Sequence, residues 1–209
     1  MAITTYAELK AAAASWLVRT DLTERIPEFV ALAEARLNRV LRARLAETEA
    51  ELTATAGSRT AALPPGFTEP LRLWLAKDDE RIELPFVAAS LLGASARPGE
   101  PGAWTVDGAN LAFDRPCDAA YALTLRMLKA FSLSDAAPTN ALLTEGPDVY
   151  LFATLCEAAP FLRDAELAAA YEARLDRAIA ELNAKDARSR AARALTTELP
   201  DLIAQRAAF

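Results

Sequence analysis

The spacing of the apolar residues changes twice along this chain, and that limits its architecture more than any single motif. From Thr5 to Ala46 apolar residues recur at helical spacing, from Glu47 to Leu128 they tend to alternate, and from Pro147 to about Arg190 the helical spacing returns. A 3.6-residue period sets one helix face into a core, whereas a two-residue period sets one strand face there. The expected fold class is therefore α+β: an antiparallel helical bundle from N- and C-terminal helices with an inserted antiparallel β-rich lobe. The expected boundaries are 1–46 and 131–195 for the bundle, 47–130 for the lobe and 196–209 for a C-terminal tail. A chain of 209 residues suffices for one core with such a lobe.

Local signals refine this outline. Thr5-Tyr6-Ala7-Glu8 has the spacing of a capping box, which predicts a helix to about Val18 with Leu9, Ala13, Trp16 and Leu17 on one face. A second helix is expected from Thr23 or Pro27 to about Ala46, on the stripe Ile26, Phe29, Val30, Ala33, Leu37, Val40 and Leu41. Arg36, Arg39, Arg42 and Arg44 lie mainly off that stripe, as a solvated face or an electrostatic seam to a neighbouring subunit. In the middle, segments 52–55 with 60–63 and 71–75 with 81–84 read as two successive hairpins. Residues 86–92 read as a short helix. Trp104–Val106 and Leu111–Phe113 flank Asp107-Gly108, a hairpin turn favouring positive φ, and 120–128 reads as a further strand. Residues 132–146 read as a linker. Pro147-Asp148 opens a third helix that Pro160 kinks or ends, and a fourth starts near Asp164 on Leu167, Tyr171, Leu175, Ala178, Ile179 and Leu182. Pro200 is expected to interrupt any helix. The tail residues Leu199, Leu202, Ile203 and Phe209 are apolar, and such a tail either tucks onto its own core or docks on a partner.

The residues that carry catalysis are sparse. There is no histidine, which removes Ser-His-Asp and Cys-His systems, HExxH zinc sites and histidine proton shuttles together. Carboxylate chemistry is left open by composition, but nothing singles out a pair. Asp78-Asp79-Glu80 falls at an expected hairpin tip and lacks the ligand spacing of a calcium loop. The glycines near 99–108 form no phosphate-binding loop. Trp16, Trp74 and Trp104 are dispersed, as core or interface anchors rather than a base-stacking platform. A net charge of −6 gives no chain-wide basic footprint for nucleic acid. Cys117 and Cys156 form no CxxC and read as small core residues in a reduced compartment. No signal peptide is evident, and no apolar run reaches the ~20 residues of a membrane span. The expectation is a non-enzyme with no catalytic, metal or cofactor-binding residues and no cofactor.

Four segments together carry a resemblance: ITTYAELKAAAASWLVRTDLTERIPEFVALAEARLNRVLR at the start, ALPPGF before a strand, SLSDAAPTNALLTEGPDVYLFATLCEAAPFLRD, and the last helix YEARLDRAIAELNAKDARSR. In order and spacing the chain resembles bacteriophage head-to-tail adaptor proteins, the portal-binding connectors that include the tail-tubular-A type, over roughly residues 3–190. The resemblance implies a homo-oligomeric ring, commonly of twelve subunits, bound beneath the portal protein. Such a ring extends the DNA channel and offers a docking surface to the downstream tail or nozzle protein. Double-stranded DNA would pass without sequence-specific binding, and no membrane is involved. The location implied is the head–tail interface of the virion, after synthesis in the host cytoplasm. Leu199, Leu202, Ile203 and Phe209 then become candidate portal-docking residues. The alternative is a non-viral helical protein-interaction or assembly module; a carboxylate-dependent enzyme is a third reading, against which the missing histidine weighs.

Overall fold

The computed structural model describes residues 2–41, 44–78, 80–93 and 95–206, with side chains described as far as Arg188 except that of Arg44. The chain is α+β, with antiparallel sheets. It divides into two compact units, residues 1–45 with 131–209, and residues 46–130.

The first unit is helical. Helix α1 (Tyr6–Leu17) starts on the capping box: Thr5 Oγ1 accepts from Glu8 N at 3.3 Å, and Glu8 Oε2 accepts from Thr5 N at 3.1 Å. Two otherwise unpaired N–H groups are satisfied in this way. Val18, at φ 51°, ends the helix in the left-handed region. Leu9, Ala13 and Leu17 are buried, but Trp16 is 42% exposed. Helix α2 (Ile26–Val40) follows a 3-10 turn and carries Pro27 in its first turn, where no N–H partner is lost. It ends at Val40 rather than near Ala46, because Leu41 turns to an extended conformation and is itself buried, leaving Val40 exposed.

Within the expected linker lies a short helix, α3 (Ala141–Glu145), capped by Asn140 Oδ1 accepting from Leu143 N at 2.8 Å. Helix α4 (Pro147–Ala158) ends in a 3-10 turn at Pro160, and α5 (Ala165–Arg206) begins after Arg163 at φ 54°. Helix α4 packs on α1, α2 and α5, and from Val149 to Ala159 every residue except Phe152 and Glu157 is buried. That central position explains its apolar character on more than one face. Tyr171, Leu175, Ala178 and Leu182 set α5 on the core, whereas Leu167 is partly exposed. The expected interruption at Pro200 does not occur: the backbone stays helical to Arg206. Proline removes one i→i−4 bond, and propagation on either side supplies one bond per residue.

The second unit holds seven strands: β1 (Glu47–Ala54), β2 (Thr60–Ala62), β3 (Phe67–Lys77), β4 (Glu80–Leu84), β5 (Trp104–Asp107), β6 (Asn110–Phe113) and β7 (Tyr121–Lys129). They form one sheet in the order β1-β7-β3-β4 and another in the order β2-β6-β5, antiparallel throughout. The expected β3–β4 and β5–β6 hairpins are present, the latter closed by Gly108 at φ 58°. The expected first hairpin is not. β1 pairs with β7, from Glu47↔Leu128 to Ala54↔Tyr121, and β2 pairs with β6. Gly57, at φ 78°, donates to the Cys117 carbonyl at 2.7 Å and redirects the chain from one sheet to the other.

Residues 86–92 form no helix either. Trp104 N donates to Pro85 O at 3.1 Å and Val87 N to Trp104 O at 2.9 Å, so this segment lies along the outer edge of β5. Leu73, Leu75, Leu123, Leu125 and Met127 from one sheet meet Ala61, Trp104, Leu111 and Phe113 from the other in a single buried cluster. The opposite face of the four-stranded sheet is charged. Glu47 accepts from Arg126 at 2.5 Å, Arg81 reaches Glu49 at 2.9 Å across the Trp74 ring, and Arg72 pairs with Glu83 at 3.0 Å. Both Trp104, in the core, and Trp74, under an arginine, act as anchors.

Candidate interaction surfaces

Among the described residues no group of three or more His, Cys, Asp or Glu side chains is placed to hold a metal ion, and no helix is long and apolar enough to cross a membrane. Both cysteines are buried, and burial with the nearby Glu172 charge pushes the Cys156 thiol up to about 12, far from a reactive thiolate. Asp78 sits in the β3–β4 turn at φ 50°, a tip conformation; Asp79 lies outside the described residues.

Among the polar ties within the first unit are three that involve partly buried groups. Between α2 and α5, Arg36 donates to both Glu172 oxygens at 2.8 and 2.6 Å, with Glu157 of α4 at 3.7 Å. The Glu172 hydrogen bonds hold the guanidinium further above its ordinary value, and Arg36 in turn lowers Glu172. Arg36 is thus neither a solvated nor an intersubunit cation but an internal tie. Arg39 is exposed, and the Arg42 and Arg44 side chains fall outside the description. On the other side of α2, Glu34 accepts from Tyr150 at 3.4 Å, while Asn140 donates to Tyr150 at 2.7 Å. Burial pushes the Glu34 carboxyl up to about 7 against the lowering effect of the Leu133 N–H and the Tyr150 hydroxyl, and burial raises Tyr150 as well. The third tie is a reciprocal pair: Asn38 Nδ2 donates to Phe131 O at 2.9 Å and Phe131 N donates to Asn38 Oδ1 at 2.7 Å.

Two outward faces remain. The first lies where α1 and α5 flank α4. Trp16 stands edge-on to Phe152 with centroids 5.6 Å apart and tilts onto Tyr171 at 6.4 Å, and the Arg174 guanidinium lies over both Trp16 and Phe152 at 5.8 and 5.5 Å. Trp16 and Arg174 are both exposed. The second is the side of α2 turned away from α4, where Glu28, Ala31, Leu32, Ala35 and Arg39 are exposed at helical spacing and Leu32 is 48% accessible. Sequence periodicity assigned Trp16 to the core; its tryptophan–arginine composition was the available sign of a contact surface.

The tail residues are placed unevenly. Leu199, Leu202 and Ile203 lie on the helical backbone at the end of α5, beyond the last described side chain, and Phe209 lies outside the described residues. Where their side chains go lies outside the described residues. Two shallow hollows near the α4–α5 turn are lined by residues such as Arg19, Arg25, Phe161 and Arg163, and by Cys156, Pro160 and Glu172. Neither contains the convergent acid, base and nucleophile of a reaction centre.

The class of this mixed α+β chain, a phage structural adaptor, follows from a family match. The model of the SU10 adaptor protein family matches residues 4–198. The chain belongs to the SU10 adaptor protein family, a phage head–tail adaptor family. No curated protein matches the chain in sequence.

Proposed function

We propose that this protein is the subunit of a ring, commonly of twelve copies, that joins the phage portal to the tail and continues the DNA channel at the head–tail interface of the virion. The family match over residues 4–198 carries this reading. In this reading the helical ends form the antiparallel bundle, residues 46–130 are its inserted lobe, and the protein works through its surfaces without catalysis. The partners are the portal protein, a further copy of the chain on each side, and the tail or nozzle protein below. Double-stranded DNA passes without base-specific contact, which the net charge of −6 favours by disfavouring adhesion to phosphate. The tail residues Leu199, Leu202, Ile203 and Phe209 are the proposed portal-docking element, on the strength of their apolar pattern. The test is to mix the purified chain with portal protein and measure mass and symmetry by mass photometry and electron microscopy. A closed ring on the portal is expected. A chain that stays monomeric and unbound would refute the reading, and a variant truncated at residue 195 that still binds normally would refute the role of the tail.

A further inference from the structure

Within the ring proposed above, the geometry points to the lateral contact between copies: the Trp16–Phe152–Arg174 face of one subunit seats on the outward face of helix α2 of the next, around Leu32 and Glu28, and on Glu24 of the 3-10 turn before that helix. The inference rests on the ring reading and adds the two surfaces that would close it.

The first observation is that these faces do not overlap. Helix α4 is packed on α1, α2 and α5, and the two partly exposed side chains between Val149 and Ala159 mark two different seams. Glu157 opens toward the Arg36–Glu172 tie between α2 and α5. Phe152 opens between Trp16 of α1 and Arg174 of α5. The outward stripe of α2 is opposite its buried stripe of Ile26, Phe29, Val30, Ala33 and Leu37, and so turns away from α4. A contact between two different patches of one chain is heterologous, and a heterologous contact that closes makes a ring.

The second observation is complementarity of shape and charge. On one face a large, partly exposed indole is fixed by two aromatic neighbours, so little side-chain freedom is lost when it is covered. On the other face Ala31 and Ala35 flank exposed Leu32, leaving the shallow relief that a protruding ring can enter. The Arg174 guanidinium lies over two rings and makes no ion pair among the described residues, so its N–H groups can donate to a partner carboxylate. Glu24 likewise has no ion pair among the described residues, and Glu28 is held only by an exposed pair with Arg25 at 3.1 Å. A cationic aromatic face, and an aliphatic stripe whose N-terminal end carries the carboxylates Glu24 and Glu28 while Arg39 lies at its far end, suit two copies of one chain that meet with Arg174 over that N-terminal end.

The experiment uses the full chain with portal protein, and scores rings by mass photometry and single portal-bound copies separately. Arg174→Glu is expected to lower ring yield about tenfold or more by setting like charges together. Glu24→Arg with Glu28→Arg is expected to do the same. Combining all three substitutions restores rings, while circular dichroism shows each variant folded. If wild type forms no ring at all, the ring reading and this inference fall together. If wild type forms rings and Arg174→Glu forms them equally well, or the triple variant does not recover, the lateral contact is elsewhere and the ring reading stands.

Discussion

Replacing Glu34 by Gln should make the protein more stable at neutral pH. Glu34 is half-buried against Tyr150, with Tyr6 near enough to feel its charge, and burial pushes its carboxyl from 4.5 up to about 7. Below about 4.5 the side chain is protonated in folded and unfolded chains alike. Between 4.5 and 7 the unfolded chain ionises it first, so unfolding releases a proton and stability falls as pH rises. Above 7 the loss is complete and constant. At full burial such a shift corresponds to roughly 3 kcal/mol. Glu34 is only half-buried, and solvent screening reduces this to about 1–2 kcal/mol. Gln keeps an oxygen for the Tyr150 hydroxyl and the Leu133 N–H but never ionises. At pH 8 Glu34→Gln should therefore melt about 2–8 °C above wild type, given 2–4 °C per kcal/mol in a chain of this size. Near pH 4 the two should coincide. Thermal melts by circular dichroism at half-unit pH steps read the difference. A variant that is no more stable than wild type at pH 8, or a difference that stays constant from pH 4 to 8, would show that Glu34 is not held away from its charged form.

Two further substitutions probe the ties that hold each unit. Trp104→Phe removes the indole N–H that donates to Leu84 O at 2.9 Å in a residue only 1% exposed, and should cost about 1–3 kcal/mol in urea denaturation of the second unit; a loss under about 0.5 kcal/mol would mean the bond is dispensable. Asn38→Ala leaves both the N–H and the C=O of Phe131 without their side-chain partner and should cost about 1–3 kcal/mol, with faster amide exchange at Phe131; unchanged exchange there would show that water replaces the amide.

What was legible in the sequence was local. The capping box at Thr5 and Glu8 and the turn glycine Gly108 each depend on a few neighbouring residues, and the structure contains both as read. The buried stripe of α2 was legible for the same reason, up to the point where Leu41 leaves the helix to enter the core. Strand existence could be read from alternation, but strand partnership could not: nothing in residues 47–54 specifies that their neighbour is 121–128 rather than the nearer 60–62. The apolar residues of 86–92 fit a helix by spacing, and their fate was decided by hydrogen bonds to distant Trp104. The surfaces were the least legible. Arg36 finds Glu172, and Tyr150 finds Glu34, across separations that no spacing rule covers. Trp16 obeys the helical period and is nevertheless exposed, because period reports which residues share a face and not whether a neighbour covers that face.

The way the two units are joined supports a last prediction. Where the chain leaves the first unit after α2 and where it returns at Phe131, Asn38 and Phe131 hold each other through two hydrogen bonds. Within the second unit, the incoming strand β1 and the outgoing strand β7 are paired from their outer ends, Glu47 opposite Leu128. Residues 46–130 thus leave and return through neighbouring strands, so the β1–β7 ladder by itself brings their ends together and the cost of closing them as a loop does not fall on the helices alone. The first unit carries its own buried residues, from Leu9 through Leu37 and Tyr150 to Leu182. Joining Leu45 directly to Phe131 through a short Gly-Ser linker should then give a chain that melts cooperatively, keeps helical circular dichroism, and retains the upfield methyl signals expected of side chains packed against Tyr150 and Phe29. Loss of the cooperative transition with helical signal retained, as in a molten globule, would show that the helices need the strands, and would overturn the view that the helical unit folds without residues 46–130.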